Sequence, residues 1–135
     1  MNQNQSNPKL LIVLLWIAVL FNMLFADIFS LIVEMMEGNV FDIPLDVTTM
    51  MGIAAVITNI PILMIVLSWV LPYSFNKWTN IIAAAFTILY IISGGVLLPH
   101  YLIIGSIEII LLIRVIIISF RWKQSIISSG LTEIS

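Results

Sequence analysis

Four apolar runs, Leu10 to Val33, Val47 to Leu71, Trp78 to Leu98 and Tyr101 to Phe120, fill most of this sequence. Each is as long as the roughly 20 residues a helix needs to cross a bilayer. Strands fit poorly, because a spanning barrel strand alternates apolar with polar positions, whereas these runs are apolar on every side. At 61% hydrophobic and 9% charged residues, the chain carries more apolar material than a small soluble core can hide. Lipid is the missing solvent. The reading is all-α: an integral membrane up-down-up-down four-helix bundle, one membrane domain over residues 1–135, with no room for a soluble domain. The first run exceeds a signal-peptide core, ends in Glu34 and Glu37, and lacks an Ala-x-Ala pattern at the right distance, so it is expected to be retained.

Charge position, more than the net charge of −2, carries information here. Lys9, Lys77, Arg121 and Lys123 fall on one side of a four-span chain, and Glu34, Glu37, Asp42 and Asp46 on the other. The positive-inside rule then places both termini in the cytoplasm and the segment Glu34 to Asp46 outside, in a multi-pass protein of the cell's inner (cytoplasmic) membrane. Pro72 to Lys77 reads as a tight inner turn and Pro99-His100 as a tighter outer one. The outer loop holding Gly38, Asn39 and Pro44 reads as a solvated acidic rim, with attraction of cations as its functional alternative. Met1 to Pro8 and Gln124 to Ser135 read as polar ends with nothing to bury.

Absent residues exclude whole classes of chemistry. Without cysteine there is no thiol–disulfide reaction, cysteine-ligated cluster or covalent haem, and the lone His100 cannot form a bis-histidine haem site. No nucleophile elbow, paired-histidine zinc motif or phosphate loop is present. No cofactor, metal site, catalytic residue or nucleic-acid partner is expected.

The informative residues are acids inside apolar runs. Asp27 and Glu108 each lie about 10 Å from the outer end of their run, where an ionisable group in lipid is costly and marks function or internal pairing. Met23, Asp27, Ser30 and Glu34 share one helical stripe, as do Tyr101, Gly105, Glu108 and Leu112. If the stripes meet, the acids share one depth and cannot both ionise cheaply, so at least one is expected to hold a proton near neutral pH. A proton-coupled carrier uses such a pair; the structural alternative is a hydrogen bond that fixes helix registry.

Arg114 leaves two readings open, an ion pair with Asp27 across antiparallel helices or snorkelling toward Arg121. Asn22 and Asn59 fall at similar mid-bilayer depth, to bond each other or to offer amides to a ligand. Thr48, Gly52, Ala55 and Asn59 form a small, polar stripe suited to close helix packing, and Pro61 predicts a kink. Asn80, Ala84, Thr87, Ile91 and Gly94 form a packing seam, and aromatic residues near the run ends fit interfacial anchoring. No internal repeat aligns the two halves, which disfavours an inverted-repeat transporter within one chain.

Leu15-Trp16 with Asn22 and Ala26-Asp27-Ile28, then Ile60-Pro61-Ile62, Trp78-x-Asn80-Ile81, and Tyr101 with Gly105 and Glu108-Ile109 resemble a family of small four-helix bacterial membrane proteins of unassigned function. The resemblance spans Leu15 to Ile109 and implies a fold but no activity. Resembling proteins often carry an acid before the Ile-Pro pair, where this chain has Asn59. A likeness to small multidrug transporters is confined to four spans and an early membrane acid.

Three functions compete. The first is a small proton- or cation-linked carrier or ligand-binding protein, with a small cationic or apolar ligand held by Asp27, Glu108, Asn22, Asn59, Ser30, Tyr101 and Arg114. The second is a structural or interaction subunit, in a homo-oligomer or with another membrane protein. An intramembrane acid/base enzyme ranks last.

Overall fold

The computed structural model describes residues 7–38, 47–94 and 98–123. Four helices occupy these segments: α1 Pro8–Glu37, α2 Val47–Val70, α3 Tyr73–Ser93 and α4 Pro99–Arg121. Each contains a stretch long and apolar enough to cross a membrane. Large apolar side chains such as Phe21, Phe25, Leu63, Ile82, Leu89 and Ile110 stand exposed around the outside. A surface of that extent is unfavourable in water and suited to lipid.

Local chemistry sets the helix ends. Pro8 enters α1 in its first turn, where the missing N–H costs nothing, and the Asn7 side chain accepts from the Lys9 N–H at 3.1 Å. Gly38 closes α1 in the left-handed conformation (φ 75°), its N–H donating to the Glu34 carbonyl; glycine takes that conformation without a Cβ clash. At 30 residues α1 is the longest helix, about 45 Å against about 30 Å of hydrocarbon. Glu34 and Glu37 therefore have room to stand beyond the apolar layer.

Two expected boundaries move. Tyr73 to Lys77, read as part of a turn, forms the start of α3, and only Leu71 and Pro72 separate α2 from α3. Pro72 sits at the N-cap, where its fixed φ suits helix entry. The polar residues after it are accommodated because Asn76 turns inward: its Nδ2 donates to the Ser68 carbonyl at 2.7 Å and the Leu71 carbonyl at 3.5 Å. It thereby satisfies carbonyls that the end of α2 leaves open. Similarly, Pro99 and His100 are the first residues of α4 rather than a turn. Asn39, Asp42, Pro44 and Asp46, and both polar ends apart from Asn7 and Pro8, lie outside the described residues.

α1 packs along α2 and α4, and α3 along α4, whereas α2 and α3 approach each other only sparsely. The fully packed core is Ile12, Trp16, Val19, Met64, Ala84, Leu112 and Val115. It lies toward the end marked by Lys9, Lys77 and Arg121, here called the basic end. The opposite end, marked by Glu34 and Glu37, is the acidic end. α2 runs unbroken through Pro61, which is fully buried.

Candidate functional site

The thin α2–α3 approach leaves a cavity of about 120 Å³ in the acidic half, reached by all four helices. Its walls are Met23, Ala26 and Asp27 of α1, Ala54 and Thr58 of α2, Tyr90, Ile91 and Gly94 of α3, and Tyr101, Ile104, Gly105 and Glu108 of α4. The stripe carrying Asp27 and the stripe carrying Glu108 thus meet one space. Asp27 is exposed, whereas Glu108 is only 4% exposed. Asp27 lies within electrostatic reach of both Glu108 and Tyr101.

Asn22 organises the Glu108 side. Its Nδ2 donates to the Ile104 carbonyl at 2.8 Å and, more weakly, to Glu108 Oε2 at 3.5 Å. Glu108 Oε1 is buried with no hydrogen-bond partner among the described residues. A buried acceptor without a partner is costly. The carboxyl is held weakly on one oxygen, and the other is buried without a partner among the described residues.

Not every expected residue reaches this place. Asn59 faces outward, its Nδ2 donating to the Ala55 carbonyl of its own helix at 2.7 Å. It neither meets Asn22 nor lines the cavity. Thr58 and Asn59 both fold back onto carbonyls of the preceding turn of α2, those of Ala54 and Ala55. The whole stripe Thr48, Gly52, Ala55 and Asn59 is exposed, and a Cβ on Gly52 would meet nothing within 4 Å. Its close packing is not made among the described residues. Arg114 is also exposed, and no ion pair joins it to Asp27 among the described residues. Ser30 is half-buried outside the cavity walls, its Oγ without a partner among the described residues.

Two groups of residues escaped the sequence reading. Tyr90 lines the cavity; its signal is a phenol one turn before Gly94 in an otherwise aliphatic segment. The second group is a buried polar network at the basic end. Trp16 Nε1 donates to Asn80 Oδ1 at 2.6 Å, and Ser68 Oγ donates to the same oxygen at 3.0 Å. Asn80 Nδ2 donates to the Asn76 carbonyl at 2.8 Å and to Asn76 Oδ1 at 2.6 Å. Trp16, Ser68, Asn76 and Asn80 are all fully buried. Trp16 is therefore an interior tie between α1 and α3. Tyr73, Trp69 and Trp122 do gather at the basic end, where the Tyr73 hydroxyl donates to the Trp122 carbonyl and Lys9 Nζ lies 6.0 Å from the Trp69 ring.

Fold and cavity together define an all-α four-helix protein compatible with a multi-pass membrane protein, closed at one end and hollow at the other. Among the described residues no group of three or more His, Cys, Asp or Glu comes together to hold a metal ion. The chain belongs to DUF6326, a family of unknown function that matches residues 2–129. No curated protein and no solved structure matches it.

Proposed function

We propose that the protein binds a small cation in exchange for a proton, through Asp27 and Glu108, as a carrier or ligand-binding protein of the cytoplasmic membrane. The observation that carries this reading is Glu108 Oε1: a carboxylate oxygen buried without a partner, in a residue that lines a cavity shared with a second acid. Buried carboxyl oxygens in a structural role are normally hydrogen-bonded. The positive-inside rule supports placing the basic end in the cytoplasm, so that the cavity opens toward the outside. Protons and cations compete for the same carboxylates, and cation binding weakens as pH falls. The test is proton release from the purified full-length chain in weakly buffered detergent at neutral pH, on addition of sodium, ammonium or alkylammonium chloride. Protons are expected to leave the wild type and not the Asp27→Asn/Glu108→Gln double variant. Absence of release with every cation would reject the function.

A second reading has its own observation. Asn59 and Arg114 are polar groups exposed within apolar spans, and such groups normally face protein or snorkel. A second copy or another membrane protein seated on α2 would cover the Thr48-to-Asn59 stripe, consistent with a structural or interaction subunit. Gly52→Cys crosslinking in native membranes tests this. A lone monomer, with no crosslinked product of any size, would eliminate it.

A further inference from the structure

We infer that the cavity's ligand is a small alkylammonium ion, with its charged head on the carboxyl side and its alkyl part against the apolar wall. This rests on the cation-binding reading and narrows it to a chemical class. The cavity is lopsided: Asp27 and Glu108 project from α1 and α4, while Ala54, Ile91 and Ile104 supply aliphatic surface and Tyr90 a ring. An ammonium group has three N–H donors and no acceptor. Glu108, Asp27 and Tyr101, three residues whose side chains carry acceptor oxygens, line one space.

A bare metal cation suits this wall less well. Hard cations want about six or more oxygen ligands, and much of the lining is carbon. Charge favours a monovalent cation over a divalent one. One monovalent ammonium balances one ionised carboxylate, and the second acid keeps its proton, so the loaded site is neutral in a low-dielectric surround. Size sets the upper limit, because about 120 Å³ is somewhat less than the ~150 Å³ apolar cavity that admits benzene. A chain of a few carbons fits, and a bulky quaternary ion does not.

Calorimetric titration of the full-length protein at neutral pH, with sodium, ammonium, methyl-, ethyl- and propylammonium and tetraethylammonium chlorides, tests the assignment. Affinity is expected to rise about fourfold per added methylene up to propylammonium, as apolar area is buried. Tetraethylammonium, which lacks N–H donors, is expected not to bind. Ala54→Leu, which fills the apolar side, is expected to flatten the chain-length dependence; a dependence as steep as the wild type's would overturn the proposed pose. The wild-type series decides the class even where that variant does not fold. Equal affinity across the series, or sodium binding at least as tightly as propylammonium, overturns the alkylammonium assignment. Proton release by sodium alone would leave the cation site standing without this ligand class, whereas no release by any cation removes both.

Discussion

The two ends of the bundle treat the polar groups of its apolar helices in opposite ways. Toward the basic end, Trp16, Ser68, Asn76 and Asn80 are fully buried and bonded into one network across three helices. Toward the acidic end, Glu108 Oε1, Ser30 Oγ and His100 Nε2 are buried without partners among the described residues, and a cavity opens beside Glu108. Ser119 Oγ is the exception at the closed end. Satisfied groups in a low-dielectric interior rigidify, and unsatisfied ones leave binding capacity at a cost in stability. In the proposed reading the closed end is the frame and the open end holds the ligand.

Four experiments would break or sharpen that contrast. The largest effect is expected for Asn80→Ala, which strands the Trp16 and Ser68 donors together and should lower stability by about 3 kcal/mol in denaturant-micelle unfolding. A neutral result would mean that the network is not the frame. Next, because the chain has no cysteine, single Cys variants report access without background. Ala54→Cys on the cavity wall should react with a water-soluble thiol reagent many-fold faster than Ala84→Cys in the packed core, and equal rates would close the proposed cavity.

The third experiment is Glu108→Gln, which removes a half-satisfied buried acid and should raise stability by about 1 kcal/mol while abolishing proton release. Destabilisation instead would make Glu108 part of the frame. The smallest effect concerns Arg114. A double-mutant cycle of Asp27→Asn with Arg114→Leu should show coupling within about 0.5 kcal/mol, as for residues that share no contact. A larger coupling would restore the ion pair that the described geometry lacks.

Fold class was legible because lipid solvation is written in composition: four long apolar runs admit helices and little else. The convergence of Asp27 and Glu108 on one space was partly legible too, since each acid sits on a stripe with small or polar neighbours that prefers an interior. The orientation of α2 was not. Its apolar residues surround the helix evenly, so neither the Thr48-to-Asn59 stripe nor its opposite face announces itself as interior; packing within the bundle buried Ile57, Pro61, Met64 and Ser68 and turned Asn59 out. The Trp16 to Asn80 bond joins residues 64 positions apart, a pairing on which local periodicity is silent.

From the sequence alone come the number of helices, their fitness for lipid, the separation of basic from acidic ends and the presence of two costly acids in apolar runs. Those are one-dimensional properties, set by run length and by which residues occur in each run. Tertiary structure alone decided how each helix is rotated about its axis, and with it that Tyr90 joins the cavity, Asn59 and Arg114 face away, and one oxygen of Glu108 is buried without a partner among the described residues. Rotation is settled by packing among neighbours, because in a span that is apolar on all sides water exerts no preference for one face.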